Sequence, residues 1–321
     1  MQWVPSQQCW RRVGEAVEYL ALSQRLCYEA HDATGMLWTL VYLGDSLFLG
    51  GRYTQCLTVI EEGLASARGL FRREVELFLL FLRARTRFQV GAYEPCALDL
   101  QACLAVADLY SMDAALPVLR AWLGRTLVHG DELVSGTKLL ESLRQTREVL
   151  LFLAEASLFA EGFENASLYI ERALAFPPES AVPAPEGITW QDGVTPVEGR
   201  SFRLARSGGL LQRSLLGMRG YLLGIRGFRE EGIRELRELA RGQKALDEDP
   251  RAAWLNWLYS QVLPEAGSEE VDDKVTVLSK SLKTLQERAS RIDGPADRSS
   301  FLWRNRWNRM IMEEARERKL V

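Results

Sequence analysis

Five stretches of this chain repeat one another. GEAVEYLALSQRL, GRYTQCLTVIEEGLASA, GAYEPCALDLQACLAVA and GDELVSGTKLLESLR place Ala16, Cys56, Cys96 and Gly136 at equivalent positions about 40 residues apart, and GFENASLYIERALAFPP follows sooner with Ala166 in that place. No other feature narrows the possible folds as much, because a unit recurring at a fixed period buries its apolar face against its neighbours rather than in a private core. The recurring position is always small. Where two helices cross closely, a large side chain would hold the backbones apart. Larger apolar residues at helical spacing, such as Ile60 and Leu64, Leu100 and Leu104, and Ile170 and Leu174, fill the next layer.

A second apolar helix precedes these stretches, in LWTLVYLGDSLFL, VELFLLFLRARTRFQV, PVLRAWLGRTLV and REVLLFLAEASLFA. Each unit is therefore a helical hairpin. Gly50-Gly51, Gly91, Gly130-Asp131 and Gly162 mark the turns, since glycine readily takes the left-handed conformation that ends a helix. Residues 1–176 read as one array. Residues 177–208 carry proline and glycine throughout and form a non-helical insertion, either a loose linker or an ordered flap over the inner face. Asp192-Gly193 suits a tight hairpin there, and the exposure of Trp190 decides between the two. Residues 209–321 resume the helical pattern with Gly220 and Gly232 at small positions, then a degraded pair in AAWLNWLYSQVL and VDDKVTVLSKSLKTLQERAS. Ser299-Ser300 caps a last helix whose Phe301, Trp303, Trp307, Met310 and Ile311 close the array. The first copy holds only a second helix. MQWVPSQQCWRR is either an irregular cap or the remnant of a longer protein. The fold class is all-α, an α-solenoid of helical hairpins with one insertion.

Leu40, Leu43, Gly44, Leu47, Gly51, Tyr53, Cys56, Ile60, Gly63 and Leu64, and again Ala154, Phe163, Ala166, Ile170, Ala173 and Pro178, resemble the tetratricopeptide pattern of alternating small and large positions. The longer period is similar to the tetratricopeptide regions attached to bacterial signalling ATPases, cyclases and kinases. In that family the first helix of each pair lines a concave surface that holds peptides or partner helices. Carried across, the pattern puts Tyr42, Asp45 and Phe48 on that surface, then Phe81, Arg85 and Phe88, then Trp122, Arg125 and His129, then Phe152, Glu155 and Phe159. Rings around Arg85 and Arg125 suit an acidic peptide with apolar anchors, because guanidinium pairs bidentately with carboxylate while rings bury area. Plain packing is the competing reading of the same aromatics. The resemblance implies a scaffold or adaptor for protein partners, with a regulatory segment of a signalling enzyme or a subunit of a larger assembly as alternatives.

The chemistry the chain lacks points the same way. With only His31 and His129 it has no histidine-rich metal set, and HExxH, GxxxxGK[ST] and GxSxG are all missing. Neither catalysis, nor a metal, nor a cofactor is expected. A net charge of -3 gives no global attraction to nucleic acid or an anionic surface. The tryptophan- and arginine-bearing C-terminal helix also carries Glu313, Glu314 and Glu317, which makes it a solvated cap rather than a nucleic-acid site. Five cysteines without CxxC spacing read as buried reduced thiols, and no apolar run nears the length of a membrane span, so a cytoplasmic location is expected.

Overall fold

A computed structural model of the chain describes residues 13–176, 208–241, 251–265 and 272–321. The cap or remnant at residues 1–12, and the hairpin at Asp192-Gly193 with Trp190, lie outside the described residues. Among those described, all regular structure is helical. The first helix, α1 (Val13–Glu29), is followed by pairs: α2 (Ala33–Leu49) with α3 (Tyr53–Gly69), α4 (Arg73–Gln89) with α5 (Tyr93–Leu109), α6 (Leu116–His129) with α7 (Leu133–Glu141), and α8 (Arg147–Phe159) with α9 (Phe163–Leu174). Beyond the insertion come α10 (Gly208–Ile225) with α11 (Arg229–Arg241), and α12 (Ala252–Val262) with α13 (Lys274–Ala289). Two helices close the chain, α14 (Pro295–Trp303) and α15 (Arg306–Glu317).

Each helix packs on the next, and the first members of successive pairs also touch: α2 on α4, α6 on α8, α8 on α10, α10 on α12. The chain is thus an all-α solenoid with an inner layer (α2, α4, α6, α8, α10 and α12) and an outer one. The small positions sit at the crossings. Cys56 Sγ donates to the Gly44 carbonyl at 3.2 Å, Cys96 Sγ lies 3.4 Å from Thr126 Oγ1, and a Cβ on Gly136 would meet the Gly124 carbonyl at 2.5 Å. Gly232 crosses Gly220 in the same manner. Cys56, Cys96 and Cys103 are free and buried, and burial pushes the Cys56 and Cys96 thiols up to about 12.

The turns depart from the expected pattern in one respect. In the four pairs from α2 to α9, and again in α10–α11 at Gly227, the hairpin turn ends its first helix with one left-handed residue and a bond from the following N–H back to the helix, as in Arg52 N to Leu47 O (2.9 Å) and Ala92 N to Arg87 O (2.8 Å). Gly51 and Gly91 take that conformation in the first two pairs, but Asp131 (φ 70°) and Glu161 (φ 57°) take it in the next two, in place of Gly130 and Gly162. The backbone bond outweighs a left-handed penalty of roughly 1–2 kcal/mol for a residue with a side chain.

The end of the chain differs as well. The single helix expected from Ser299 is two. Gly294 and Pro295 begin α14 earlier, and the helix stops at Arg304 because the Asn305 side chain accepts the Asn308 backbone N–H and caps a new helix. The break lets the segment turn. From α13 to α15 the chain runs across the hairpin turns of the N-terminal pairs in their own order. Arg291 Nη1 donates to the Gly50 carbonyl (3.4 Å), the Asp293 N–H donates to Thr54 Oγ1 (3.3 Å), and Phe301 packs on Tyr53. The Ser300–Asn305 backbone lies against Gly91, Arg306 pairs with Asp131 at 2.7 Å, and the Trp307 ring meets those of Phe159 and Trp254 at a tilt, both at 4.9 Å. This strap closes one end of the inner layer. Helix α12, buried on every side from Ala252 to Ser260, sits at the centre.

Candidate partner-binding surface

On α2 and α6 the ring and charge positions grade from open to closed along the helix, whereas on α4 and α8 they do not. On α2, Tyr42 is 41% exposed and lies 6.2 Å from the Trp38 ring, Asp45 is half-buried, and Phe48 is buried. On α4, Phe81 and Phe88 are buried and Arg85 is half-buried between them. Trp122 on α6 stays half-buried, whereas Arg125 and His129, deeper along the same helix, are buried. On α8, Phe152 and Glu155 are buried, and Phe159 is half-buried where Trp307 meets it. Trp38, Tyr42 and Trp122 are the partly exposed rings at the mouth of this surface, and the strap lies across its base.

The two arginines singled out by the sequence have different surroundings. Arg125 lies among the rings of Phe152 (4.6 Å), Phe88 (4.7 Å) and Trp122 (5.2 Å) and donates twice to Glu155, through Nε and Nη2, both at 2.8 Å. Burial pushes the Glu155 carboxyl up, but the Arg125 charge and the His129 ring outweigh it and hold the group down at about 2. This guanidinium has a partner inside the chain. Arg85 lies 4.5 Å above the Phe48 ring and near those of Trp122 (5.9 Å) and Phe81 (6.0 Å), and its buried Nε–H finds no acceptor among the described residues. Asp45 and Glu148 flank it as charges rather than as close pairs, and burial pushes both carboxyls up. Glu148 was not legible as part of this surface, since in sequence it is one of the acids that favour a helix N-terminus. It accepts the Trp122 Nε1–H at 3.2 Å and so fixes the ring at the mouth.

His129 closes the base, with the rings of Phe88 (4.8 Å) and Phe159 (5.1 Å) against it and Nε2 3.7 Å from Glu155. Burial lowers its pKa although Glu155 opposes the shift. Below the ordinary histidine value of about 6.5 the unfolded chain takes up a proton that the folded chain refuses, so stability falls as pH drops through that window. Urea unfolding at about pH 7 and pH 5.5 measures the loss, and His129→Phe removes that part of the slope.

No helix among the described residues is long and apolar enough to cross a membrane, and no cluster among them could hold a metal ion. The profile of a family described as the C-terminal domain of TP_0123 matches residues 218–319, from within α10 to just past α15, about a third of the chain. The matched stretch contains the strap. No curated protein matches the chain.

Proposed function

We propose that this chain is a non-catalytic scaffold or adaptor of the tetratricopeptide type that holds a partner peptide or helix on its inner surface. The observation that supports this reading is Arg85, a guanidinium stacked on an aromatic ring with a buried N–H still to be satisfied, one step below an open aromatic mouth. A buried donor without a partner costs about 1–3 kcal/mol, and an incoming carboxylate would recover it as a charge-assisted bond. Tyr42 and Trp122 supply the apolar anchorage beside it. Asp45 and Glu148 offset the local charge, so an acidic group would be selected by its position against Arg85 rather than by net attraction. An acidic peptide with apolar anchors fits these three features.

Affinity purification with the intact chain tests the reading. Arg85→Glu is expected to reduce capture of a specific partner roughly ten- to hundredfold, the equivalent of one charged hydrogen bond, with the circular dichroism spectrum unchanged. Tyr42→Ala, at the mouth, weakens capture less. Undiminished capture by Arg85→Glu removes the inner surface from consideration. Arg125→Glu is unsuited to the purpose, because it would break the buried pair and the fold with it.

A further inference from the structure

Two groups of opposite charge stand beside each other on the inner surface without pairing. Arg85 on α4 keeps its buried Nε–H without an acceptor, and Asp45 on α2, half-buried, has neither a hydrogen bond nor an ion pair among the described residues. Asp45 lies three residues before Phe48, whose ring the guanidinium covers at 4.5 Å, so acid and base occupy adjoining positions of one surface. Burial pushes the Asp45 carboxyl up, and Arg85 is the charge that opposes the shift. Each group is desolvated, each feels the other, and neither has a bond that offsets the loss of water.

The charges around them already balance. Glu148 lies in the field of Arg125, Arg85 and Arg251, and Arg125 holds Glu155, so three acids (Asp45, Glu148, Glu155) meet three bases (Arg85, Arg125, Arg251). Four of the six are committed within the chain: Arg125 to Glu155, Glu148 to the Trp122 Nε1–H, and Arg251 to Ser214 Oγ. A lone carboxylate arriving on Arg85 would add an uncompensated negative charge next to Asp45, where rings and burial weaken screening. A carboxylate that brings a cation with it keeps the balance and gives Asp45 its missing partner. We propose that the partner presents an acid and a base side by side, its carboxylate on Arg85 and its ammonium or guanidinium on Asp45. This rests on the reading of the inner surface as a peptide-binding one, and narrows the ligand from an acidic segment to a locally neutral one in which Glu or Asp stands close to Lys or Arg.

Four sets of short, end-blocked peptides, alike in length and apolar residues, serve as probes for the intact, immobilised chain. One set carries Glu and Lys within a helical turn of each other, one Glu and Gln, one Lys and Gln, and one Gln at both places; retained peptides are identified by mass. The Glu–Lys set is expected to be retained at least about tenfold better than the Glu–Gln set, the effect of one charge-assisted bond. Asp45→Asn leaves two acids against three bases and shifts the preference to Glu–Gln. Arg85→Gln leaves three against two and shifts it to Lys–Gln, with both circular dichroism spectra unchanged. Equal retention of the Glu–Lys and Glu–Gln sets overturns the proposal while leaving the acidic-peptide reading in place. A Glu–Lys preference that survives Asp45→Asn overturns it as well. If no charged set is retained better than the Gln–Gln set, the proposal and the reading beneath it both fall.

Discussion

Glu155→Leu lowers the unfolding free energy by about 3–5 kcal/mol, and Arg125→Met lowers it by a similar amount, because either change leaves a buried charge without its partner. Glu155 is 3% exposed and Arg125 8%, and three rings exclude water from the pair. Making both changes together costs far less than the sum, within about 1 kcal/mol of the unaltered chain, since an apolar pair of similar volume suits the surrounding rings. Urea unfolding of the four proteins closes the cycle. If the single changes each cost under about 1 kcal/mol, the pair is not desolvated as described, and Arg125 returns to the list of groups free to meet a partner.

Trp307→Ala is expected to cost about 3–5 kcal/mol, as truncation of a buried tryptophan does. Its ring sits among Phe159, Trp254 and Trp257 and joins the strap to the inner layer at the base of the candidate surface. The loss falls first on α14 and α15, so trypsin should cleave at Arg304 and Arg309 well before it attacks the array. Arg306→Gln, which breaks a pair whose aspartate is 82% exposed, costs only about 0–1 kcal/mol by the same assay. Equal effects of the two changes would mean that the exposed ion pair holds the strap as firmly as the tryptophan does.

Much of this architecture is readable along the sequence, and the parts that are not share a cause. Cys56, Cys96, Gly136 and Ala166 announce the hairpins because each records a close helix crossing within one local unit, and Gly220 with Gly232 does so again beyond the insertion. Periodicity carries such contacts since they recur. The strap recurs nowhere. Arg291 on Gly50, Arg306 on Asp131 and Trp307 on Phe159 are single long-range contacts, so no pattern along the chain anticipates them. The break at Asn305 is equally local, decided by one side chain that competes for a backbone N–H inside an otherwise helical run. On the inner surface, the family pattern placed Arg85, Arg125 and Glu155 on one face. It had no means of pairing Arg125 with Glu155 across repeats while leaving Arg85 without such a partner, because that depends on the superhelical turn between neighbouring hairpins.

The strap also changes how the molecule should come apart and reassemble. An open array of repeats behaves like a short one-dimensional magnet, in which end units loosen first and partly ordered states are populated. Here the bond between Arg291 and Gly50 spans 241 positions of chain and ties the segment after α13 to the turn of the first pair, so the pairs from α2 onward are joined at both ends while α1 lies outside the clasp. The clasped pairs melt together, and α1 loosens ahead of them. The hairpins can form independently and early, but the clasp forms only when all of them stand in register, which makes closure of the longest loop the slow step of folding.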